Sequence, residues 1–205
     1  MSWRRAGIAM LVMVPIIMLF TFGLRRGDPR LIPSPLVGNP APDFALPVIA
    51  LDGPGENGSE LTGDTIRLSD QRGNVVVLNF FASWCVPCRV EHRALQEVAI
   101  RYRDRDVKFF GVVYNDEPDA VREYVRQLGG QVYPALMDDG QRVAIDYGLV
   151  GVPESFFIEP DGTVRRKVFS VLDRTTLITE IEAMLAEMES GEPRPSQAPG
   201  EAVGP

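Results

Sequence analysis

The junction at residues 75–89 constrains this chain more than any other stretch. Val75, Val76, Val77, Leu78, Asn79, Phe80 and Phe81 form an almost unbroken apolar run. Such a run, without polar alternation, predicts a strand buried on both faces, as in the middle of a mixed or parallel sheet. Directly after it comes Trp84-Cys85-Val86-Pro87-Cys88-Arg89, with the only two cysteines of the 205 residues. A helical pattern follows over 86–103, with Val90, Ala94, Leu95, Val98 and Tyr102 as its expected apolar face. Pro87 falls in the first turn, where a missing N–H costs nothing. Two cysteines this close remove little loop entropy when joined, so the pair reads as redox-active and not as a staple.

The rest of the chain supplies an α/β frame for that junction. Strands are expected at 43–47, 65–68, 107–114, 135–137 and 155–159, with helices over 117–128 and 142–147. Residues 52–64, rich in glycine, read as an exposed loop, and Ser69 is placed to cap a short turn. Pro160-Asp161-Gly162 is a turn that folds 163–169 back as a hairpin, and Asp173 caps a last helix through about residue 187. Alternating strands and helices that end in a hairpin imply a three-layer sandwich around a mixed sheet.

The N-terminus has a different character. Residues 1–5 are a short basic flank, and 6–24 are almost wholly apolar, at about 19 residues long enough to span a bilayer as one transmembrane helix. A cleaved signal peptide is the alternative, but no small-residue cleavage site follows. Arginines lie on both sides of the span, so charge does not orient it. The short N-terminal flank makes a cytoplasmic N-terminus with an extracytoplasmic domain the simpler arrangement. Residues 25–37 open a proline-rich stretch that reads as a spacer. They lead into a domain over 38–189, and residues 190–205 have the composition of a disordered tail. The net charge of −7 and a pI near 4.8 argue against a nucleic-acid partner.

The site chemistry starts from the thiolate, which is the nucleophile in disulfide exchange. At a helix N-terminus, unpaired N–H groups and the dipole favour it. Cys85 is therefore expected to be the exposed, attacking sulfur, and Cys88, one turn in, the more buried resolving one. Trp84 would cover one side. Two rival readings use the same cysteines. One is an inert buried pair; the other is a zinc half-site, for which His92 is the sole imidazole. Glu91 can share a helix face with Cys88, or be an ordinary solvated carboxylate. Pro153, after Gly151 and before a strand, is a fitting context for a cis bond.

The motif Trp84-Cys85-Val86-Pro87-Cys88-Arg89-Val90-Glu91-His92 resembles that of the membrane-anchored CcmG/DsbE and TlpA/ResA-like thioredoxin-fold proteins. So do Gly111-Val112-Val113-Tyr114-Asn115-Asp116, Tyr147-Gly148-Leu149-Val150-Gly151-Val152-Pro153-Glu154 and the turn Glu159-Pro160-Asp161-Gly162. The resemblance covers roughly residues 38–187 and the anchor. It implies a thioredoxin-like sandwich with an added N-terminal strand and an inserted helix. It also implies a redox-active Cys85–Cys88 disulfide and a cis-Pro153 that faces it. Val152 would offer backbone hydrogen bonds to an extended substrate, and Glu91 and Glu154 would tune the cysteines. Two departures stand out. Where thioredoxin has a buried aspartate six residues before the first cysteine, this chain has Asn79, which cannot ionise. Where TlpA-like relatives often have proline, it has Arg93, which favours the CcmG/DsbE side.

The resemblance implies an extracytoplasmic thiol-disulfide reductant. Its clients would be apocytochrome c or the partners that handle it, and a membrane carrier of the DsbD/CcdA type would re-reduce it, without cofactor or metal. A general TlpA/ResA-like reductase of exported proteins is the nearest alternative. A thioredoxin-fold copper-delivery protein is further off, because the cysteine spacing is two and His92 is the only histidine. Peroxidase chemistry ranks last, since it needs a lone peroxidatic cysteine.

Overall fold

The computed structural model describes residues 34–51 and 61–191, together with Leu11, Met13, Val14, Pro15 and Met18. Those five are helical and exposed. The rest of the expected span at 6–24, and the tail beyond Gly191, lie outside the described residues. No helix among the described residues is long and apolar enough to cross a membrane.

Seven strands form one sheet: β1 (Ala45–Ile49), β2 (Leu61–Arg67), β3 (Val75–Phe81), β4 (Val107–Val113), β5 (Ala135–Met137), β6 (Glu154–Ile158) and β7 (Val164–Phe169). Their spatial order is β2-β1-β5-β4-β3-β6-β7. The expected buried strand is β3, all seven residues of which are buried. It runs parallel to β4 on one side and antiparallel to β6 on the other. β4 and β5 are also parallel, so β5, β4 and β3 form a block of parallel neighbours within the mixed sheet. The strands expected at 43–47 and 65–68 form an antiparallel edge pair, and the second begins earlier than expected, at Leu61 inside the segment read as loop.

The main helices are α1 (Val86–Tyr102), α2 (Pro118–Gln127), α3 (Arg142–Asp146) and α4 (Arg174–Ser190). The chain moves the same way across the sheet from β3 through β4 to β5. Right-handed crossovers therefore carry α1 and α2 over one face. On that face Val75, Val77, Leu95, Val98, Tyr102 and Phe157 pack with Leu177, Ile181 and Met184 of α4. On the other face Val76, Leu78, Phe80 and Phe156 pack with Phe44, with Val143 and Ala144 of α3, and with Tyr147 at its C-cap. The Tyr147 ring sits 5.0 Å from Phe156 and 5.6 Å from Phe80, and its hydroxyl donates to the Pro42 carbonyl. The strand period of two, read along β3, separates the two layers.

Two local expectations differ. Leu36 packs against the core, and Val37 bridges to Val164 of β7, so the folded unit takes in residues assigned to the spacer. Ser69 does not cap the turn after β2. Asp43 does, because its Oδ1 accepts the Ser69 N–H at 2.9 Å while also bonding the Phe44 N–H. The Asp173 cap is present, with Oδ1 accepting the Thr176 N–H at 2.9 Å. Gly191, at φ 65°, ends α4 in the left-handed region.

Leu78 is wholly enclosed at the centre of the sheet. We expect Leu78→Ala to cost about 2–5 kcal/mol in denaturant unfolding through lost burial and a residual cavity. A loss below about 1 kcal/mol would mean the layers close over the gap.

Candidate functional site

The site lies where β3 and β4 end and α1 begins. Cys85 is the N-cap of α1: its backbone is extended, and its Sγ accepts the Cys88 N–H at 3.1 Å. One orphan donor of the helix thus points at this sulfur, on the positive end of the dipole. Cys85 and Cys88 form a disulfide, with Cα atoms 5.3 Å apart. The expected contrast in exposure does not hold in this bonded form, since Cys85 is 3% and Cys88 2% exposed. Phe81, Ala82, Val113, Tyr124 and Val152 pack in the same cluster and enclose both. The asymmetry lies in bonding: only Cys85 receives the helix N–H.

Gly111 makes room for that enclosure. It pairs with Asn79 across the ladder, and a Cβ there would come within 2.8 Å of the Phe81 ring. Without it, Phe81 lies over β4 and reaches Tyr124, with centroids 6.0 Å apart. Trp84 stays 55% exposed beside the disulfide, and its indole N–H donates to the Asn115 carbonyl at 3.1 Å. Asn115 has φ 47°, a left-handed conformation that asparagine tolerates better than most residues. Pro87 lies in the first turn of α1, as expected.

The helix face is where the sequence reading needs correction. Cys88, Glu91, His92, Leu95, Val98, Ala99 and Tyr102 point inward, at helical spacing from Cys88. Val90, two residues from Cys88 and so on the opposite side, is 66% exposed. Glu91 is therefore no solvated carboxylate. It is 1% exposed, and it accepts the Asn79 Nδ2–H at 2.8 Å on Oε1 and the Leu172 N–H at 2.9 Å on Oε2. Asn79 also donates to Ser155 Oγ at 2.9 Å. Burial pushes the Glu91 pKa from its ordinary 4.5 to about 7, against the pull of the two hydrogen bonds. Burial likewise lifts the neighbouring Tyr124 to about 12. His92 is buried too, with Nε2 2.9 Å from the Gly130 carbonyl, and burial holds its pKa down. Among the described residues, no three His, Cys, Asp or Glu side chains are grouped to hold a metal ion.

The Val152–Pro153 peptide is cis. Pro153 is buried, and half-buried Val152 packs against the cluster that holds both cysteines. Among the described residues no hydrogen bond engages the Val152 backbone. Glu154 sits differently from Glu91. It pairs with Phe80 in the ladder, which puts its side chain on the opposite face of the sheet. There it is fully buried, accepts the N–H groups of Val150 and Gly151 on Oε1, and faces Lys167 Nζ at 2.8 Å across Oε2. Ser155, Leu172 and Lys167 were not singled out from the sequence, and Asn115 entered only as part of the 111–116 motif. Only Asn115, in an Asn-Asp pair at a strand end, carried a local signal.

A disulfide at a helix N-cap, beside a cis-proline loop on a thioredoxin-like mixed sheet, defines a thiol-disulfide exchange protein. The chain belongs to the AhpC/TSA family, whose model matches residues 37–167. It is 33% identical over 192 residues to the thiol:disulfide interchange protein DsbE of Allochromatium vinosum, covering 94% of this chain and 98% of that one. It is 30% identical over 132 residues to the thiol-disulfide oxidoreductase ResA of Bacillus thuringiensis, covering 64% of this chain and 69% of that one. A solved thioredoxin-family thiol:disulfide interchange protein from Chlorobium tepidum superposes with a TM-score of 0.58 at 26% identity, over 71% of this chain and 95% of that one.

Glu91 gives the site a pH signature. Below about 4.5 its carboxyl is protonated in the folded and unfolded chain alike. Between 4.5 and about 7 the unfolded chain releases the proton and the native one keeps it, so stability falls as pH rises. The full loss, roughly 3 kcal/mol, is reached above the folded value. We expect denaturant unfolding of the oxidised protein to show this decline and Glu91→Gln to flatten it. Parallel pH profiles for the two would refute the assignment.

Proposed function

We propose that this chain is an extracytoplasmic thiol-disulfide reductant, tethered to the membrane by residues 6–24. Its clients are the disulfides of apocytochrome c or of the partners that handle it. Two things support the reading: the disulfide at the N-cap of α1 with a buried carboxyl one turn behind it, and relatives named for thiol:disulfide interchange. A membrane electron donor of the DsbD/CcdA type would return the pair to dithiol.

In the reduced form the Cys85 thiolate, held by the Cys88 N–H and the helix end, attacks one sulfur of a client disulfide. The Cys85–client bond forms, the client S–S bond breaks, and the first client thiolate leaves. Cys88 then gives its proton to Glu91, and its sulfur attacks Cys85 Sγ. The second client thiolate leaves as the Cys85–Cys88 bond forms. The client gains two electrons, and this chain loses them. Asn79 cannot take that proton, but its amide holds Glu91 in place to do so. Val152 offers its free backbone groups to an extended client segment, and Trp84 borders the same opening.

A buried acid behind the cysteines also sets direction. Once ionised, Glu91 disfavours a second negative charge on Cys88, which raises the energy of the thiolate. A destabilised thiolate makes the dithiol a better reductant, the reverse of strongly oxidising relatives whose reduced form is stabilised.

The direct test is mixed-disulfide trapping in membranes. We expect Cys88→Ser to leave clients bound to Cys85 and Cys85→Ser to trap none; the opposite pattern would reverse the roles. The midpoint potential should lie below about −200 mV, and a value near that of a strong oxidant, about −120 mV, would overturn the reducing direction.

A further inference from the structure

The segment 148–151 leads straight into the cis Val152–Pro153 bond, and a buried ion pair holds it at three backbone points. Glu154 Oε1 accepts the N–H of Val150 at 2.8 Å and of Gly151 at 3.2 Å. Lys167 Nζ donates to the Gly148 carbonyl at 2.9 Å. The two charges meet at 2.8 Å between Nζ and Oε2, an electrostatic contact and not an aligned hydrogen bond. The Glu154 side chain is 0% and the Lys167 side chain 9% exposed. The ammonium also lies 5.3 Å from the centre of the Phe156 ring, which closes the pair from below.

Burying two charges is costly, and a pair of apolar residues would often serve stability as well or better. This pair does something an apolar pair cannot do, since each member spends its remaining valence on the backbone of one short loop. Its side chains point to the face of the sheet away from the disulfide, the face of Phe80 and Phe156. We propose that Glu154 and Lys167 form a clamp that positions the client-facing Val152–Pro153 loop. Glu154 is then a positioning residue for client docking, not an acid that tunes the sulfurs. The proposal rests on the thiol-disulfide reading above and adds Lys167 to the residues that serve it.

The two roles predict opposite signs. If Glu154 acted through its charge, Glu154→Gln and Lys167→Met would move the Cys85 pKa in opposite directions. A clamp gives both the same effect, on docking alone. The test uses the reduced full-length protein in detergent and a synthetic peptide with an intramolecular disulfide between cysteines two residues apart. Single-turnover reduction is followed against peptide concentration, and Cys85 alkylation by iodoacetamide against pH.

We expect Glu154→Leu and Lys167→Met each to raise the half-saturating peptide concentration about tenfold, with the saturating rate and the alkylation profile unchanged. The double variant Glu154→Gln/Lys167→Met should return to within about threefold of the parent, because the amide oxygen still accepts the two loop N–H groups and no charge is left unpaired. Unchanged half-saturation in folded Glu154→Leu would overturn the clamp, as would opposite shifts in the alkylation profile. Should Glu154→Leu fail to fold, Lys167→Met carries the same comparison. If the parent protein does not reduce the peptide, the thiol-disulfide reading falls by itself. The clamp is then read from amide hydrogen exchange, which should quicken at Val150 and Gly151 in Lys167→Met and recover in the double variant. Exchange rates equal to the parent in Lys167→Met would overturn it.

Discussion

Glu91 is a carboxyl enclosed by protein, with two donors aimed at it and, among the described residues, no cation paired with it. An ionised carboxylate in that position meets a large desolvation cost, which the Asn79 and Leu172 hydrogen bonds offset only in part. The group answers by holding its proton to about pH 7. Much of the site follows from that compromise. Asn79 must be an amide that donates, Ser155 must sit across the ladder to share it, and the chain after β7 must bring the Leu172 amide down onto α1. The three contacts tie β3, β6 and the entry to α4 around one side chain.

The same compromise explains the asparagine at a position where thioredoxin keeps an aspartate. Moving the acid from strand β3 onto the inner face of α1 leaves the strand a neutral donor. An aspartate at position 79 beside Glu91 would bring two carboxyls into one apolar pocket, and only one could ionise. The geometry makes Asn79 and Glu91 one unit, in which the strand residue orients the acid and the helix residue titrates.

The fold was legible in the sequence wherever period and punctuation agreed. The seven-residue buried strand, the cysteines at its helix junction, the Asp173 cap and the Gly162 turn were all local signals, and each lies where it was read. The inner face of α1 was misread at Val90, which was counted by hydrophobicity, while for Glu91 the spacing from Cys88 left two readings open and the structure selects the inward one. Counting from Cys88 at 3.6 residues per turn puts Glu91 inside and Val90 outside. Lys167 had no signal at all: as one of three successive cations on a strand it reads as solvated surface, and only the hairpin register carries it to Glu154, thirteen positions earlier. The cis bond at Pro153 was legible from its context, while the roles of Val152 and Pro153 at the site came from resemblance. The structure adds what resemblance did not carry, namely the side chains that hold their loop.

The two outer strands of the sheet invite a last comparison. β2 is an edge strand with Gly63 at φ 91° and Asp64 beside it, and β7 carries Arg165, Arg166 and Lys167 in succession. A kinked backbone at one border, and at the other charged side chains turned inward beside a segment that already bonds Val164, are poor templates for a further strand. For a protein whose proposed clients arrive as extended chains, that matters more than it would elsewhere. An unguarded border would collect passing polypeptide by simple strand addition and grow into aggregates. With both borders discouraged, the unused backbone groups at Val152, beside the sulfurs, are where the proposed client segment would dock. The margins of the sheet thus act as a filter on traffic, leaving the proposed docking place at Val152 without competition from strand addition at the described edges.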